Sequence, residues 1–541
     1  MLIRKKPPRP HALGEPLLHQ NHPLPVTRRD FIAAGFLSGP AMVIGPAWLG
    51  ALLKASRANA ALSPDMQALL GSGQCNVPTA AGGLPFICFD LAGGANLVGS
   101  EVLVGVQGGQ RNFLSTAGYG KLGVPGNMVP SSSANIDASL GLLWHADGAI
   151  KRGILSKATT PATAAGTNGA VLCAMSQNDT QNNPHNPMYG IAMAGAQGLL
   201  LNLVGTESSV SGGNSQAPMA LINPALQPTT ISQPSDSTSL VPMPPGGGTP
   251  DPLAVAVLES QARISGGSSA YVSGNTASFS GALSAPNGGT PGVQLYSDPV
   301  TDTALKNQVR CAYVKSANTA DAFGNPAALD ATKDPNIVGG ASPIFTAADF
   351  SDSDVQKTAT VMKLVLDGYA GAGTITLGGY DYHDDTRATG EDRNFKAGQM
   401  IGAVLEYAHR VGKPVMIYVF SDGSLTANGM IDNSAGGRGK LGWQGDSASV
   451  ASTFFLVYSP TGRPQLRNGV AGQQIGYFSS DGSVVSTSSP AANAVNQLVQ
   501  VVILNYMGLL GTDSQFPTLF PMQGLGSGSA LAGLTAFTRI V

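Results

Sequence analysis

One segment of the chain places a carboxylate and an imidazole at a spacing that suits metal binding. Asp381 and His383 lie two residues apart, after the apolar run 374–377 and a pair of glycines. At the end of a strand both side chains can reach one divalent cation, and Asp384 or Asp385 can orient the imidazole. The alternative interpretation is a solvated polar loop.

Two further segments carry candidate site residues. The sequence SDGS at 421–424 follows the apolar run 414–420, and adjacent strands would bring Asp422 near Asp381. We therefore predict Asp422 as a metal ligand and Ser421 as a catalytic residue, against the alternative of an ordinary Asp-Gly turn. His185 ends an Asn-rich loop at 178–186 and could supply a ligand, a catalytic group or hydrogen bonds to a substrate. The alternative is a loop that satisfies its own turns.

The supply of histidines limits any metal site. Beyond residue 60 the chain has four of them: His145, His185, His383 and His409. We expect His409 on a helix surface and His145 on a helix surface or in the core, which leaves few imidazoles for a site. The motifs G-x-S-x-G, HExxH and the P-loop do not occur in the sequence, so the usual signatures of hydrolase triads, zincins and NTPases are missing.

The elements that must position these residues follow an alternating pattern. Continuous apolar runs predict strands that are buried on both faces, at 84–89, 170–175, 374–377 and 414–420. Helical periodicity predicts helices at 252–264, 354–369, 395–411 and 494–510. The alternation predicts an α/β sheet with helices on both faces, and ligands in such sheets bind beyond the carboxyl ends of the strands.

Composition and charge exclude several classes of protein. The 541 residues include 70 glycines without a G-X-Y period, which excludes collagen, and 43% are hydrophobic, which excludes a wholly disordered chain. Residues 1–60 hold eight of the 30 basic residues and two of the 32 acidic ones, so the remainder has a net charge of −8. A mildly acidic surface disfavours nucleic-acid binding. Gly/Ser/Pro-rich stretches at 208–252 and 265–292 predict long loop insertions.

The N-terminal residues contain an export signal. Thr27–Ile32 matches the twin-arginine consensus, and an apolar run at 32–53 follows it. Ala58–Ala60 forms a small-x-small cleavage site, so we predict a signal peptide at 1–60 and a single large domain at 61–541. The alternative is a membrane anchor, which four glycines and two prolines in the run disfavour. We expect the Tat translocase as a partner during export, no stable membrane span after cleavage, and a periplasmic or secreted protein.

Four cysteines allow more than one arrangement. Two disulfides among Cys75, Cys88, Cys173 and Cys311 could form in three pairings in an oxidising compartment. Cys88 and Cys173 lie in apolar runs, so isolated buried thiols are the alternative. No CxxC motif occurs, which disfavours zinc ribbons and redox pairs.

The order of these motifs resembles that of a large, uncharacterised family of Tat-exported bacterial proteins in the alkaline phosphatase/sulfatase superfamily. Its members show G-G-x-D, R-S-H-F, G-G-F-D-T-H, S-E-F-G-R and T-D-H-G in that order. The resemblance spans about residues 84–460 and is strongest at 378–424, where the chain reads GGYDYH and then FSDGS. It implies a three-layer α/β/α sandwich like that of alkaline phosphatase, in which two metals cleave phosphate or sulfate esters.

The resemblance transfers only part of the family's metal site. Asp381 and His383 match the D-T-H residues, Asp422 stands at the glutamate of S-E-F-G-R, and His185 matches the histidine of R-S-H-F. Asn96 replaces the first aspartate, and GWQG at 442–445 stands in place of T-D-H-G. Three of about seven candidate ligands are therefore missing, whereas a two-metal site needs several anionic oxygens and imidazoles.

Three hypotheses follow. The depleted ligand set favours an exported, non-catalytic or weakly active binding or envelope protein, whose small-molecule or surface partner the sequence does not identify. The alternative is a metal-dependent hydrolase of phosphate or sulfate esters. In that case one divalent ion (Zn, Mn or Ca) would be held by Asp381, His383 and Asp422, with His185 as ligand or acid/base. A redox protein is the third, although no cofactor motif supports it.

Overall fold

The computed structural model describes residues 81–176, 184–211, 213, 216–240 and 326–541, together with 63–65, 68, 311, 313 and 314. These residues belong to one compact unit that spans 57–541. Among them, no helix is both long enough and apolar enough to cross a membrane.

Short and long elements alternate along the described chain. The strands are β1 Phe86–Leu91, β2 Ile136–Asp137, β3 Trp144–His145, β4 Thr167–Cys173, β5 Leu201–Gly205, β6 Thr229–Thr230, β7 Ala370–Leu377, β8 Val415–Phe420, β9 Leu425–Ile431, β10 Leu441–Asp446, β11 Ser452–Tyr458 and β12 Gln474–Ile475. The α-helices are α1 Thr116–Lys121, α2 Ala149–Lys157, α3 Pro161–Ala165, α4 Met188–Met193, α5 Pro234–Thr238, α6 Ser353–Leu366, α7 Ala388–Arg410, α8 Val495–Leu510, α9 Phe516–Leu519 and α10 Ser529–Gly533. Single turns of 3-10 helix lie at Ser133–Asn135, Met219–Leu221, Pro224–Leu226, Pro326–Leu329, Ala331–Lys333, Asp349–Ser351, Ala448–Val450, Val470–Gln473 and Asp513–Gln515.

Eight strands form one central sheet in the order β12-β4-β11-β8-β1-β7-β5-β6. Strand β1 pairs in parallel with both β7 and β8, and β11 runs antiparallel to β4 and β8. The remaining pairs are parallel, so the carboxyl ends of β1, β4, β5, β7 and β8 meet at one edge. The loops that carry the candidate residues all leave from that edge.

Helices cover both faces of this sheet, because the side chains of each strand alternate between two cores. Ile87, Phe89 and Leu91 of β1 pack in one buried cluster with α2, α6 and α7. Phe86 and Cys88 of the same strand pack in a second cluster with α4 and α8. The expected α/β class, with a large, mostly parallel sheet between helices, is therefore confirmed; the alkaline phosphatase-like topology stays a prediction.

Most of the predicted elements occur within a few residues of their expected bounds. Helix α7 ends just before Gly412, whose φ of +64° suits glycine at a helix C-terminus, and β8 follows at once. His145 is buried, in agreement with the core placement, but it lies in the short strand β3 and not on a helix. Its ring nitrogens form hydrogen bonds with the Met128 carbonyl and the Asp147 backbone N–H.

Several other expectations concern segments that are only partly described. The signal peptide at 1–60, the helix at 252–264 and the insertion at 265–292 lie outside the described residues. The described part of 208–252 contributes the edge strand β6 and helix α5. Cys88 and Cys173 are free, buried thiols, and Cys311 is disulfide-bonded.

Candidate functional site

The segment after β7 is extended and alternates between buried and exposed residues. Tyr380 and Tyr382 are buried, whereas Asp381 and His383 are exposed. The Tyr382 hydroxyl donates to Asn394 Oδ1 (3.1 Å) and accepts from the backbone N–H of Asn96 (3.0 Å). The two tyrosines thereby fix the backbone, and the period of two aims the aspartate and the histidine at the same side.

Asp381 and His383 do lie together. The imidazole Nε2 is 2.8 Å from Asp381 Oδ1, with the side chains 41% and 53% exposed for the histidine and the aspartate. The loop after β1 lies against the backbone here, since a Cβ on Gly93 would be only 2.4 Å from Asp381 N. Gly93 also has a φ of +138°. The position therefore requires glycine both for lack of space and for its backbone conformation.

The hairpin β9–β10 supplies a third candidate ligand. Asp446, the last residue of β10, pairs with Leu425, which follows the end of β8 by a short turn. This pairing returns Asp446 to the carboxyl edge of the sheet. One ligand atom each from Asp381, His383 and Asp446 lies within 4.8 Å of the others, and all three residues are exposed.

This donor set can hold a divalent cation. Two carboxylates and one imidazole suit Zn²⁺, and the carboxylate oxygens also suit Mn²⁺. Because the three side chains are exposed, they can close around an ion without repacking the core. Three protein ligands would leave coordination positions open to water or to another ligand.

Asp446 was missed by the sequence reasoning. It directly follows 442–445, the segment that the resemblance sets in place of T-D-H-G. Trp443 and Gln444 stand where the resemblance expects that motif's aspartate and histidine, and Asp446 was not among the predicted ligands. The pairing of β9 with β10 decides which carboxylate reaches the site, and a single sequence does not reveal that pairing.

Asp422 has a different set of contacts from the other candidate ligands. It is 5% exposed, and its Oδ1 accepts the backbone N–H of Gly93 at 2.8 Å. It is not a member of the ligand cluster around Asp381. The contact holds the loop after β1 against the segment that carries Asp381.

Ser421 is bonded to the backbone on two sides. Its hydroxyl donates to the carbonyl of Leu91 (2.6 Å) and accepts from the N–H of Ala95 (2.8 Å). The residue is 2% exposed. These bonds join the end of β8 to the loop after β1, so the hydroxyl has a structural role; its predicted catalytic role stays a prediction.

His185 lies in the core and not beside His383. It is fully buried, stacks on Phe420 with ring centroids 5.6 Å apart, and its Nε2 lies 2.7 Å from Ser176 Oγ. Burial lowers the pKa of His185 to about 3. The ring is therefore neutral at pH 7 and a weak base.

Asn96 and Trp443 are residues at which the resemblance would have implied metal ligands. The Asn96 side chain is buried and donates to Ser424 Oγ (3.3 Å) and to the carbonyl of Leu425 (3.2 Å). Trp443 is fully buried, and its ring lies 4.4 Å from the guanidinium carbon of Arg387. Both side chains are thus packed in the interior.

The chain has no match among models of known protein families and none among curated proteins. The evidence on function is therefore the arrangement of its own residues.

A buried ionic cluster lies where the start of α7 meets the start of β10. Lys440 Nζ lies 2.8 Å from Glu391 Oε1, and Arg387 Nε donates to the same oxygen at 2.9 Å. Burial and the charge of Glu391 raise the pKa of Glu101. Burial opposes the ionised form of Glu391 as well, but the charges of Arg387 and Lys440 lower its pKa. The paired charges fix the start of α7 to the start of β10.

Proposed function

We propose that this protein is an exported, diverged relative of the alkaline phosphatase/sulfatase superfamily that binds a ligand through one divalent cation. The convergence of Asp381, His383 and Asp446 at the carboxyl edge of the sheet carries the proposal. A cation held by three protein groups has positions left for a ligand from solution, and exposure of all three gives that ligand access.

Binding without turnover is the function we favour. A hydrolase needs a nucleophile or general base within reach of the cation-bound substrate. Ser421 is bonded to two backbone groups, and His185 is fully buried with a pKa of about 3. Neither residue is available in this arrangement for proton transfer at the exposed cation site.

Metal-dependent hydrolysis of phosphate or sulfate esters is the second candidate function. The observation in its favour is the open face of the ligand cluster, because a cation with free positions can bind and activate water. In this case the cation alone would supply the nucleophile, and we expect slow turnover.

Two assays on the mature, untagged protein separate these functions. In a Mn²⁺ titration followed by electron paramagnetic resonance, binding removes the signal of the free ion; we expect one ion per chain, and loss of that site in Asp446→Asn. Asp392→Asn is the matched control, since Asp392 is also exposed and lies outside the cluster. Aryl phosphate and aryl sulfate turnover is then measured with Mn²⁺, Zn²⁺ and Ca²⁺.

The proposal predicts a bound cation and no turnover above that of the free metal. Turnover that Asp446→Asn abolishes would establish the hydrolase instead. An unchanged Mn²⁺ signal with the parent protein would exclude both functions of this site.

A further inference from the structure

The backbone of Trp443 connects the two parts of the candidate cation site. Its carbonyl accepts the N–H of Asp385 at 2.9 Å, and its N–H donates to the carbonyl of Thr386 at 2.9 Å. Asp385 comes two residues after His383, and Asp446 comes three residues after Trp443. These two bonds therefore join the hairpin to the segment that follows Asp381 and His383.

The Trp443 side chain lies between Tyr382 and Arg387. Its ring lies 6.3 Å from the ring of Tyr382, which separates the two ligands Asp381 and His383 in sequence. On the other side it lies 4.4 Å from the guanidinium carbon of Arg387, within the range of a cation–π contact. The indole thus packs between the ligand-bearing segment and the start of α7.

Two glycines make room for this indole. A Cβ on Gly390 would lie 2.7 Å from Trp443 Nε1, and one on Gly123 would lie 2.7 Å from Trp443 Cη2. Gly123 also has a φ of +86°, which a residue with a Cβ rarely adopts. The surroundings are therefore shaped to hold one large flat ring at this place.

Arg387, on which the Trp443 ring stacks, is itself held in place by hydrogen bonds. Its Nε donates to Glu391 Oε1 at 2.9 Å, and its backbone N–H donates to Asp432 Oδ2 at 2.9 Å. Asp432 directly follows β9, at the far end of the hairpin from Asp446. Arg387 thereby contacts the hairpin at both the Trp443 ring and the Asp432 carboxylate.

We infer that Trp443 is the positioning residue of the cation site: its stack on Arg387 and its contact with Tyr382 set the separation between Asp446 and the Asp381–His383 pair. This inference rests on the proposed function. The ring does not touch the ion. It determines whether the three ligands already lie close enough together to bind the ion. Loss of the ring would leave all three ligands and the two backbone bonds of residue 443 in place, but it would remove the side-chain packing that holds the hairpin in one position. Binding of the cation would then first require ordering of the hairpin.

Trp144 offers a matched control. It is also fully buried, it packs edge-on against Phe454 with centroids 5.3 Å apart, and it lies in β3, outside the hairpin that carries Asp446. Trp443→Ala and Trp144→Ala each remove one buried indole, so both lower the melting temperature. Only the first removes a side-chain contact between the hairpin and the ligand segment.

The experiment is a Mn²⁺ titration of the folded parent protein and of Trp443→Ala, Trp443→Phe and Trp144→Ala. We expect Trp443→Ala to weaken Mn²⁺ binding by about 10-fold or more, the usual effect of removing a group that orients a metal ligand. Trp443→Phe keeps a ring over Arg387 and should recover most of the affinity. Trp144→Ala should bind Mn²⁺ within about 2-fold of the parent, well below that orienting effect.

The outcomes separate this inference from the proposed function. If the parent protein binds no Mn²⁺, the proposed function fails. If the parent binds and Trp443→Ala binds equally well, the positioning role is overturned while the site stands. Equal weakening by Trp144→Ala and Trp443→Ala would also overturn it, because loss of stability alone would then explain the effect. Should Trp443→Ala not fold, Trp443→Leu, which keeps apolar volume without an aromatic face, replaces it and should still weaken binding.

Discussion

Asp422 accepts a hydrogen bond from the backbone N–H of Gly93 at 2.8 Å, and this bond lies beneath the candidate cation site. Gly93 in turn packs against the backbone of Asp381. Asp422, which the sequence predicted to be a metal ligand, therefore holds the loop after β1 in place, and that loop packs against the candidate ligand Asp381. The loop that follows β1 thus packs against the segment after β7 and helps to hold the site in place.

The first prediction concerns this close approach. Gly93→Ala should lower both the stability and the cation affinity, because its Cβ would lie 2.4 Å from Asp381 N. Gly94→Ala is the matched control: Gly94 has nearly the same φ of +137°, but the atom nearest to its Cβ would be 4.0 Å away. We expect about 1–3 kcal/mol of backbone strain in both variants and loss of the cation site in Gly93→Ala alone. Urea unfolding and Mn²⁺ titration measure the two effects, and equal cation affinities in the two variants would refute the argument.

The second prediction assigns a structural role to Ser421. Ser421→Ala leaves the Leu91 carbonyl and the Ala95 N–H without this partner in a buried place. The free energy of unfolding should fall by about 1–3 kcal/mol. Ser447→Ala, which removes a hydroxyl shared only with Ser449, should change it by less than about 0.5 kcal/mol. An unchanged unfolding curve for Ser421→Ala would show that these bonds add no stability.

The third prediction is a dependence of stability on pH. His185 has a folded-state pKa of about 3, below the value of about 6.5 in the unfolded chain, so the unfolded state binds the extra proton between these values. The stability from the neutral ring is complete above pH 6.5 and is lost as the pH falls. Each such histidine contributes a slope of about 1.4 kcal/mol per pH unit.

Substituting His185 by Phe tests this dependence. The variant keeps a ring that can stack on Phe420 but does not titrate, so the fall in unfolding free energy from pH 6.5 to 4.5 should be less steep. His145, whose pKa burial lowers to about 4, remains and adds a slope of the same sign. Urea unfolding at several pH values gives both slopes, and identical slopes for parent and variant would rule out the role of His185.

Much of the fold could be predicted because its strands and helices have strong local patterns. Apolar runs marked β1, β4, β7 and β8, and the polar residues after them placed the site at one sheet edge. Helix α7 has a clear apolar face and a glycine after its end. Asp381 and His383 could be placed together because they are two residues apart on one extended segment.

The rest of the site depends on contacts between residues distant in sequence. Asp446 reaches the cluster through the pairing of β9 with β10, and His185 was placed near the site although its ring packs on Phe420. Neither fact has a local signal. The ionic cluster joins Glu101, Glu391 and Lys440, which are far apart along the chain and meet only when α7 and β10 pack together.

The fourth prediction concerns export. If the protein is exported by the twin-arginine route, as we propose, replacement of Arg28 and Arg29 by Lys should leave the precursor in the cytoplasm. Cell fractionation with immunoblotting measures this, and Lys5→Arg/Lys6→Arg serves as the control outside the motif. Export of the double lysine variant at the parental level would contradict the prediction.

The most direct test of the central claim is an anomalous difference map from a crystal of the mature protein soaked in Zn²⁺ and measured at the zinc edge. We expect one peak bounded by Asp381, His383 and Asp446, at about 2.0–2.2 Å from each ligand atom. A peak at Asp422 instead, or no peak among these three residues, would contradict it.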